Sequence, residues 1–263
     1  MQVCKSPFLI WFTGRSGSTY LCDLLNSHSD IYCRREDFSE IRIESENSQS
    51  MPSVDINGTR FVRRLHRPQG DLEHPSRGEA IDYLNQLFSK DCSACGFKMK
   101  YPNQFLVFPE IAHALKETPN IRLVGLRREN VLKQAISLGN VDRLHQMGVV
   151  NSGNAKCDVN LEPLCLDVDE TLKNAMFFAK CKSHLERFAS EFNKVHFVVY
   201  EDLCYRPQKT LDELLKFLDV DGNAEYLQSR FKKITPDRIS DAVSNYDQLE
   251  QAVAGTELEI FLD

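Results

Sequence analysis

The sequence lacks any apolar run long enough to cross a membrane. No stretch approaches the roughly eighteen apolar residues a spanning helix needs, and the first run, Phe8 to Phe12, is too short for the core of a signal peptide. The chain is therefore read as soluble. It also lacks positive charge: a net charge of -6 argues against the broad electropositive surface of a nucleic-acid binder, so any polyanion must be met locally. Its nine cysteines form no framework, being odd in number and scattered along a chain large enough not to need staples. A reducing cytoplasm is the simplest location for such a chain. Cys92-Ser-Ala-Cys95 has no second CxxC and no nearby pair of histidines, which speaks against a metal or redox site. Asn57-Gly58-Thr59 fits the glycosylation triplet but reads as an ordinary turn where no secretory signal is found. No internal repeat and no linker divides the chain, so one domain over residues 1 to 263 is expected, with length enough to bury a sizeable core.

What is present is a pattern of strands alternating with helices. "FLIWFTGRSGSTYLCDLL", Phe8 to Leu25, is an apolar strand, a tight polar turn, and leucines at helical spacing. Such a unit can hold a phosphate, because the unpaired amides of the first helical turn and the helix dipole both favour an anion there. "IRLVGLRRENVLKQAISL" repeats the pattern, with a buried strand from Ile121 to Leu126 and a helix carrying Val131, Ala135 and Leu138. Between them lie a helix over 78 to 88, the strand "CGFKMK" and a helix around 108 to 116. Further on come a long helix from about 170 to 192, with Leu172, Met176, Ala179, Phe188 and Phe192 inward, and "VHFVVY", read as a central strand. Pro207 then opens a helix through Leu211, Leu214, Leu215 and Leu218. Residues 39 to 78 and 148 to 163 are polar and read as excursions of loops and short helices that could line a site. This alternation predicts an α/β fold, a mainly parallel central sheet flanked by helices, with its site at the carboxyl ends of the strands.

The first turn is not the loop of nucleotide hydrolases. That loop needs Gly, four residues, then Gly-Lys-Ser/Thr, whereas Gly14 and Gly17 are three apart and no lysine follows. "GRSGSTYL" instead resembles the 5′-phosphosulfate loop of sulfotransferases that use 3′-phosphoadenosine 5′-phosphosulfate (PAPS), in the Arg-Ser-Gly-Ser-Thr form of bacterial and carbohydrate-type members. "LRRENVLKQAISL" resembles the family's 3′-phosphate unit, "GFKMKY" its mid-chain Gly-Phe-Lys strand, and "VVYEDLCYRPQKTLDELLKFLDV" its late strand, turn and helix. The matches run in family order over nearly the whole chain. A donor phosphorylated at both ends of its ribose needs two anion holes, and two strand-turn-helix units supply them.

The resemblance implies a P-loop-like nucleotide fold and transfer of a sulfuryl group from PAPS, without a metal, to a hydroxyl-bearing small molecule or glycan. It implies that the amides from Arg15 to Thr19, with the hydroxyls of Ser18 and Thr19, cradle the phosphosulfate; Gly14, Ser16 and Gly17 belong to the same loop. Arg15 stands where the cytosolic branch has a lysine that supports charge on the bridging oxygen, and Tyr20 where that branch stacks a tryptophan on adenine, core packing being the alternative. Ser137 and either Arg128 or Arg127, nine and ten residues earlier, would grip the 3′-phosphate; the usual spacing of eight falls on Glu129. Glu36 fits the position of the catalytic glutamate, with Asp37 as alternative. Lys98 could reach the sulfuryl oxygens or the acceptor, since a lysine on a buried strand is costly unless its amine meets an anion or water; Lys100 faces the same side. Lys232 and Lys233 lack the glycine of the family's C-terminal Arg-Lys-Gly stretch, so their contact with nucleotide stays open. Arg60, Arg63, Arg64 and Arg67 would share a face if helical, as an anionic acceptor site or a solvated stripe. The competing functions are a nucleotide or sugar kinase with a degenerate loop, and a non-catalytic nucleotide-binding member.

Overall fold

The structure, a computed structural model, describes residues 4–42, 53–56, 59–146, 162–231 and 235–262. Its centre is a parallel sheet of β1 (Ser6–Thr13), β2 (Ile31–Arg34), β7 (Ala94–Tyr101), β8 (Arg122–Arg127) and β9 (Val195–Val199), in the order β2-β7-β1-β8-β9. β1 lies in the middle and is buried along its whole length. Its side chains alternate between faces as a strand requires: Phe8, Ile10 and Phe12 enter one core, Leu9 and Trp11 the other. The first core is covered by α1 (Ser18–Asn26) and α9 (Pro207–Leu218), the second by α2 (Arg77–Phe88), α3 (Asn103–Val107), α4 (Pro109–Glu117) and the end of α7 (Val168–Ala189). A third cluster joins α5 (Val131–Gly139) and α7 to the C-terminal segment with α10 (Ile239–Ala242) and α11 (Tyr246–Val253). α6 (Val141–Gln146) follows α5, and α8 (Tyr200–Tyr205) follows β9 directly.

Three expectations need correction. Residues 39 to 78 were expected to be loops and short helices, yet among the described residues they form an antiparallel sheet of β3 (Phe38–Arg42), β4 (Val54–Ile56), β5 (Thr59–Leu65) and β6 (Leu72–Glu73). In β5 the period of two places Phe61, Arg63 and Leu65 on one face and Arg60, Val62 and Arg64 on the other, so the arginine stripe splits. Arg63 lies on the inner face because its guanidinium sits 4.4 Å from the Phe108 ring centroid and pairs with Glu110. "VHFVV" is an edge strand rather than a central one, half-buried over four of its five residues. Met176 is exposed, because the buried stripe of α7 runs through Thr171, Ala175, Phe178, Cys181, Leu185 and Ala189. The expected excursion over 148 to 163 falls mostly outside the described residues, as do Asn57, Gly58, Lys232 and Lys233.

Candidate active site

β1 ends at Thr13 and the chain turns through Gly14–Gly17 into α1, closed by the Ser16 hydroxyl donating to the Thr13 carbonyl at 2.8 Å. Arg15 (φ 64°) and Gly17 (φ 85°) are both left-handed, a geometry that gathers successive amides into a concavity for an anion. Gly17 is required twice over: its φ favours glycine, and a Cβ there would come within 2.4 Å of the Tyr200 ring. Gly14 differs: among the described residues beyond its chain neighbours, no atom lies within 4 Å of where a Cβ would stand. α1 has no side-chain cap at Gly17 and no acidic residue in its first turn, leaving its N-terminus open to an incoming anion. Tyr20, in α1, is half-buried and packs against the core that holds Phe8 and Leu21.

Lys98 faces α1 from β7 and is only 2% exposed. Its ammonium lies 2.9 Å from Thr19 Oγ1, 3.2 Å from Ser18 Oγ and 2.9 Å from Glu36 Oε1. Gln104 Nε2 donates to the other oxygen of Glu36 at 3.1 Å. Burial pushes the Glu36 carboxyl up, but Lys98, Lys100 and the Gln104 hydrogen bond outweigh it and hold the group below the usual carboxylate range. Glu36 is thus ionised at neutral pH and one ion pair, through Lys98, from the start of α1. Asp37 does not share that position. It is 3% exposed and accepts from Arg34 Nε and the Tyr83 hydroxyl, both at 2.7 Å. Lys100 pairs with Glu40 at 3.0 Å.

The second unit reaches the first through side chains. Arg15 Nε donates to Ser137 Oγ at 3.1 Å, and Arg128 Nη1 donates to the Arg15 carbonyl at 3.2 Å. The Arg128 guanidinium stands 4.8 Å from the centroid of the Tyr200 ring, and its buried Nε has no hydrogen-bond partner among the described residues. Arg127, last in β8, points to the other face of the sheet, where it pairs with Glu129 and Glu186, both at 2.9 Å. Burial lowers the pKa of both Arg15 and Arg128; the charge of Arg128 lowers Arg15 further, while Tyr200 and Glu201 offset part of the effect on Arg128. Two cations, Arg128 buried and Arg15 half-buried, therefore share this corner with no ion pair to a carboxylate among the described residues, an arrangement that an anion would relieve.

Two members of the site, Gln134 and Glu201, lie inside the matched stretches without having been given a role. Gln134 Nε2 donates to Thr13 Oγ1 at 2.8 Å and to the Gly14 carbonyl at 2.6 Å, stapling α5 to the first loop. A polar residue on the apolar side of an amphipathic helix was the available clue. Glu201 accepts from the amides of Glu129 at 3.0 Å and Asn130 at 3.1 Å, so the second turn's outer amides are already taken. A cavity of about 520 Å³ adjoins Glu36, lined by Asn26, Tyr32, Cys33, Arg34, Arg35, Asp37 and His66. A larger one, about 620 Å³, lies at the amino ends of β8 and β9, away from the loops. Among the described residues no cluster of three or more His, Cys, Asp or Glu is placed to hold a metal, and no helix is long and apolar enough to cross a membrane.

The model of the sulfotransferase family matches residues 7–224, which spans both loops, Glu36 and Lys98. The chain belongs to this family. Among solved structures, this sulfotransferase is similar to a sulfotransferase from Alicyclobacillus acidocaldarius, with 14% identity, a TM-score of 0.50 and coverage of 99% of both chains. A sulfotransferase domain from the curacin biosynthetic pathway aligns at 16% identity and a TM-score of 0.49, over 92% of this chain and 84% of that one. A sulfotransferase from Mycobacterium avium aligns at 14% identity and a TM-score of 0.45, over 97% and 76%. At 14% identity the first of these likenesses speaks to the fold alone, a mainly parallel sheet flanked by helices. No curated protein is similar enough in sequence to count as a match.

Proposed function

We propose that this sulfotransferase, acting as a single domain, transfers the sulfuryl group of PAPS to a hydroxyl on a carbohydrate or glycolipid-like acceptor, with no metal. The observation that carries this reading is the pair of linked loops: an uncapped α1 N-terminus joined through Arg15 to Ser137 and to Arg128, whose buried Nε has no partner among the described residues. A nucleotide phosphorylated at one end would leave one of the two without an anion. The amides of Arg15 to Thr19 hold the 5′-phosphosulfate in the space left open at Gly14, while Arg128 and Ser137 hold the 3′-phosphate. PAPS supplies an activated sulfuryl group whose bond to the phosphate oxygen breaks as the acceptor oxygen bonds to sulfur.

Arg15 and Lys98 stabilise the charge that develops during that exchange, from positions fixed before the reaction begins. Glu36 takes the acceptor's proton. Its lowered pKa keeps it ionised, and Lys98 is its principal counter-charge. As Lys98 is drawn toward sulfuryl oxygens, Glu36 loses part of that counter-charge and becomes a stronger base. The test is incubation of the protein with PAPS labelled in sulfur and an extract of the source cells, with and without EDTA. Labelled product formed equally in both supports the reading. Transfer that stops with EDTA, or labelling of nothing, contradicts it.

A further inference from the structure

The cavity beside Glu36 holds one charge that nothing in the transfer step uses. Its other charged lining groups, and His66, each have a partner. Arg34 is neutralised by Asp37 at 2.7 Å, and Glu36 by Lys98 at 2.9 Å. His66 is held at both ring nitrogens, by Asp71 at 2.8 Å and by the Ser39 hydroxyl at 2.9 Å. Arg35 remains. It is exposed on the cavity wall, and among the described residues its guanidinium makes no ion pair or hydrogen bond; only its backbone carbonyl is engaged, by the Lys98 amide at 3.4 Å.

An exposed arginine on a convex surface would need no explanation. Arg35 is in a concavity of about 520 Å³, the size of a small-molecule site, adjacent in sequence to the carboxylate that lines the same space. The chain's net charge of -6 repels anions at long range, so an anionic acceptor would need a local cation to be retained. The guanidinium fork fits a carboxylate and a tetrahedral oxyanion alike. Resting on the sulfuryl-transfer reading, we infer that the acceptor is a small hydroxylated acid, with its hydroxyl at Glu36 and its carboxylate, phosphate or sulfate group on Arg35. A sugar acid or sugar phosphate belongs to this class; a neutral sugar does not.

The experiment measures sulfur transfer from PAPS to a panel of hydroxylated carboxylic acids and sugar phosphates, each beside its methyl ester or free sugar. It compares the parent protein with Arg35→Ala and Arg35→Glu, and checks donor binding in all three by the melting-temperature shift with 3′-phosphoadenosine 5′-phosphate. The expected result is kcat/KM at least about tenfold higher for the anionic member of the preferred pair, the worth of one charge-assisted hydrogen bond. That preference should disappear in Arg35→Ala and invert in Arg35→Glu, with donor binding unchanged. The carboxylate and phosphate arms identify which anion is used. With donor binding intact, equal labelling of charged and neutral members, no labelling of any acid, or an acid preference that survives Arg35→Glu overturns the inference and leaves the donor assignment standing. Loss of the donor shift in the parent protein overturns both.

Discussion

The two strand-turn-helix units of this sulfotransferase share a sequence pattern and are built differently. The unit entering α1 has no side-chain cap, two left-handed residues in its turn, and a glycine with empty space beside it. The unit entering α5 is filled by the protein itself: Asn130 caps the helix through the Lys133 amide at 2.7 Å, and Glu201 occupies the amides of Glu129 and Asn130. An anion at the first unit is therefore met by backbone, which recognises charge and shape at close range. An anion at the second must be met by Arg128 and Ser137, which are side chains and can be altered without rebuilding the turn. A strand-turn-helix pattern identifies where an anion could bind; whether the amides are free decides how.

The largest expected effect lies between the units, at the base. Glu36→Gln keeps size and hydrogen-bonding reach but cannot take a proton, so transfer should fall by roughly two to four orders of magnitude with little change in donor affinity. Turnover near the parent rate with saturating donor and a true acceptor would remove Glu36 from the mechanism.

Next in size is the side-chain unit. Arg128→Ala should weaken binding of 3′-phosphorylated nucleotide by roughly ten- to a hundredfold, the worth of a hydrogen bond to a charged group, while AMP binding barely moves. Arg127→Ala removes only partly exposed pairs with Glu129 and Glu186 and should leave affinity unchanged. The reverse outcome in calorimetric titrations would reassign the 3′-phosphate contact.

The backbone unit gives a smaller contrast, in stability. Gly17→Ala should destabilise the fold by about 1–3 kcal/mol through its backbone conformation, with the Tyr200 contact adding to it. Gly14→Ala should leave the melting temperature unchanged and still impair donor binding, because the space its methyl group fills is free only until a ligand arrives. Equal melting temperatures for the two variants would show that the loop is not ordered as described.

The smallest effect is on the pH dependence of stability. The folded-state pKa of Glu36 is lowered, so its contribution is fully present above the ordinary carboxylate range and is lost as pH falls through the lowered value. Parent and Glu36→Gln should differ in stability at pH 7 and converge in acid. Parallel curves down to about pH 2, well below the ordinary carboxylate value, would show that the Lys98 pair does not stabilise the fold.

Much of this architecture was legible in the sequence, since apolar period and turn chemistry fix strands and helices locally. β1, α1, β7, β8, α5 and α9 fall where their patterns place them. What was hidden depends on neighbours distant in the chain. The antiparallel sheet escaped notice because β5 carries arginines on both faces, and Arg63 becomes tolerable inside only once Phe108 and Glu110 meet it. β9 reads as central by composition, yet its place at the edge is set by strand order. Counting from Ser137 could not tell Arg127 from Arg128; alternation at the end of β8 separates them, sending one toward α7 and the other toward Tyr200. Of the candidate site, Arg15, Lys98, Glu36 and Ser137 were visible as motif positions, whereas Gln134 and Glu201, though inside matched stretches, matter through contacts with loops distant in the chain.

The central claim is that the two units together recognise a nucleotide phosphorylated at both ends. The most direct test is the melting temperature of the parent protein and of Arg128→Ala combined with Ser137→Ala, each with equal concentrations of 3′-phosphoadenosine 5′-phosphate, AMP and ATP. Binding to the folded state alone raises the melting temperature by mass action. The account predicts a shift with the doubly phosphorylated nucleotide well above the other two in the parent, and three similar small shifts in the double variant. Equal shifts for all three nucleotides in the parent protein would contradict it.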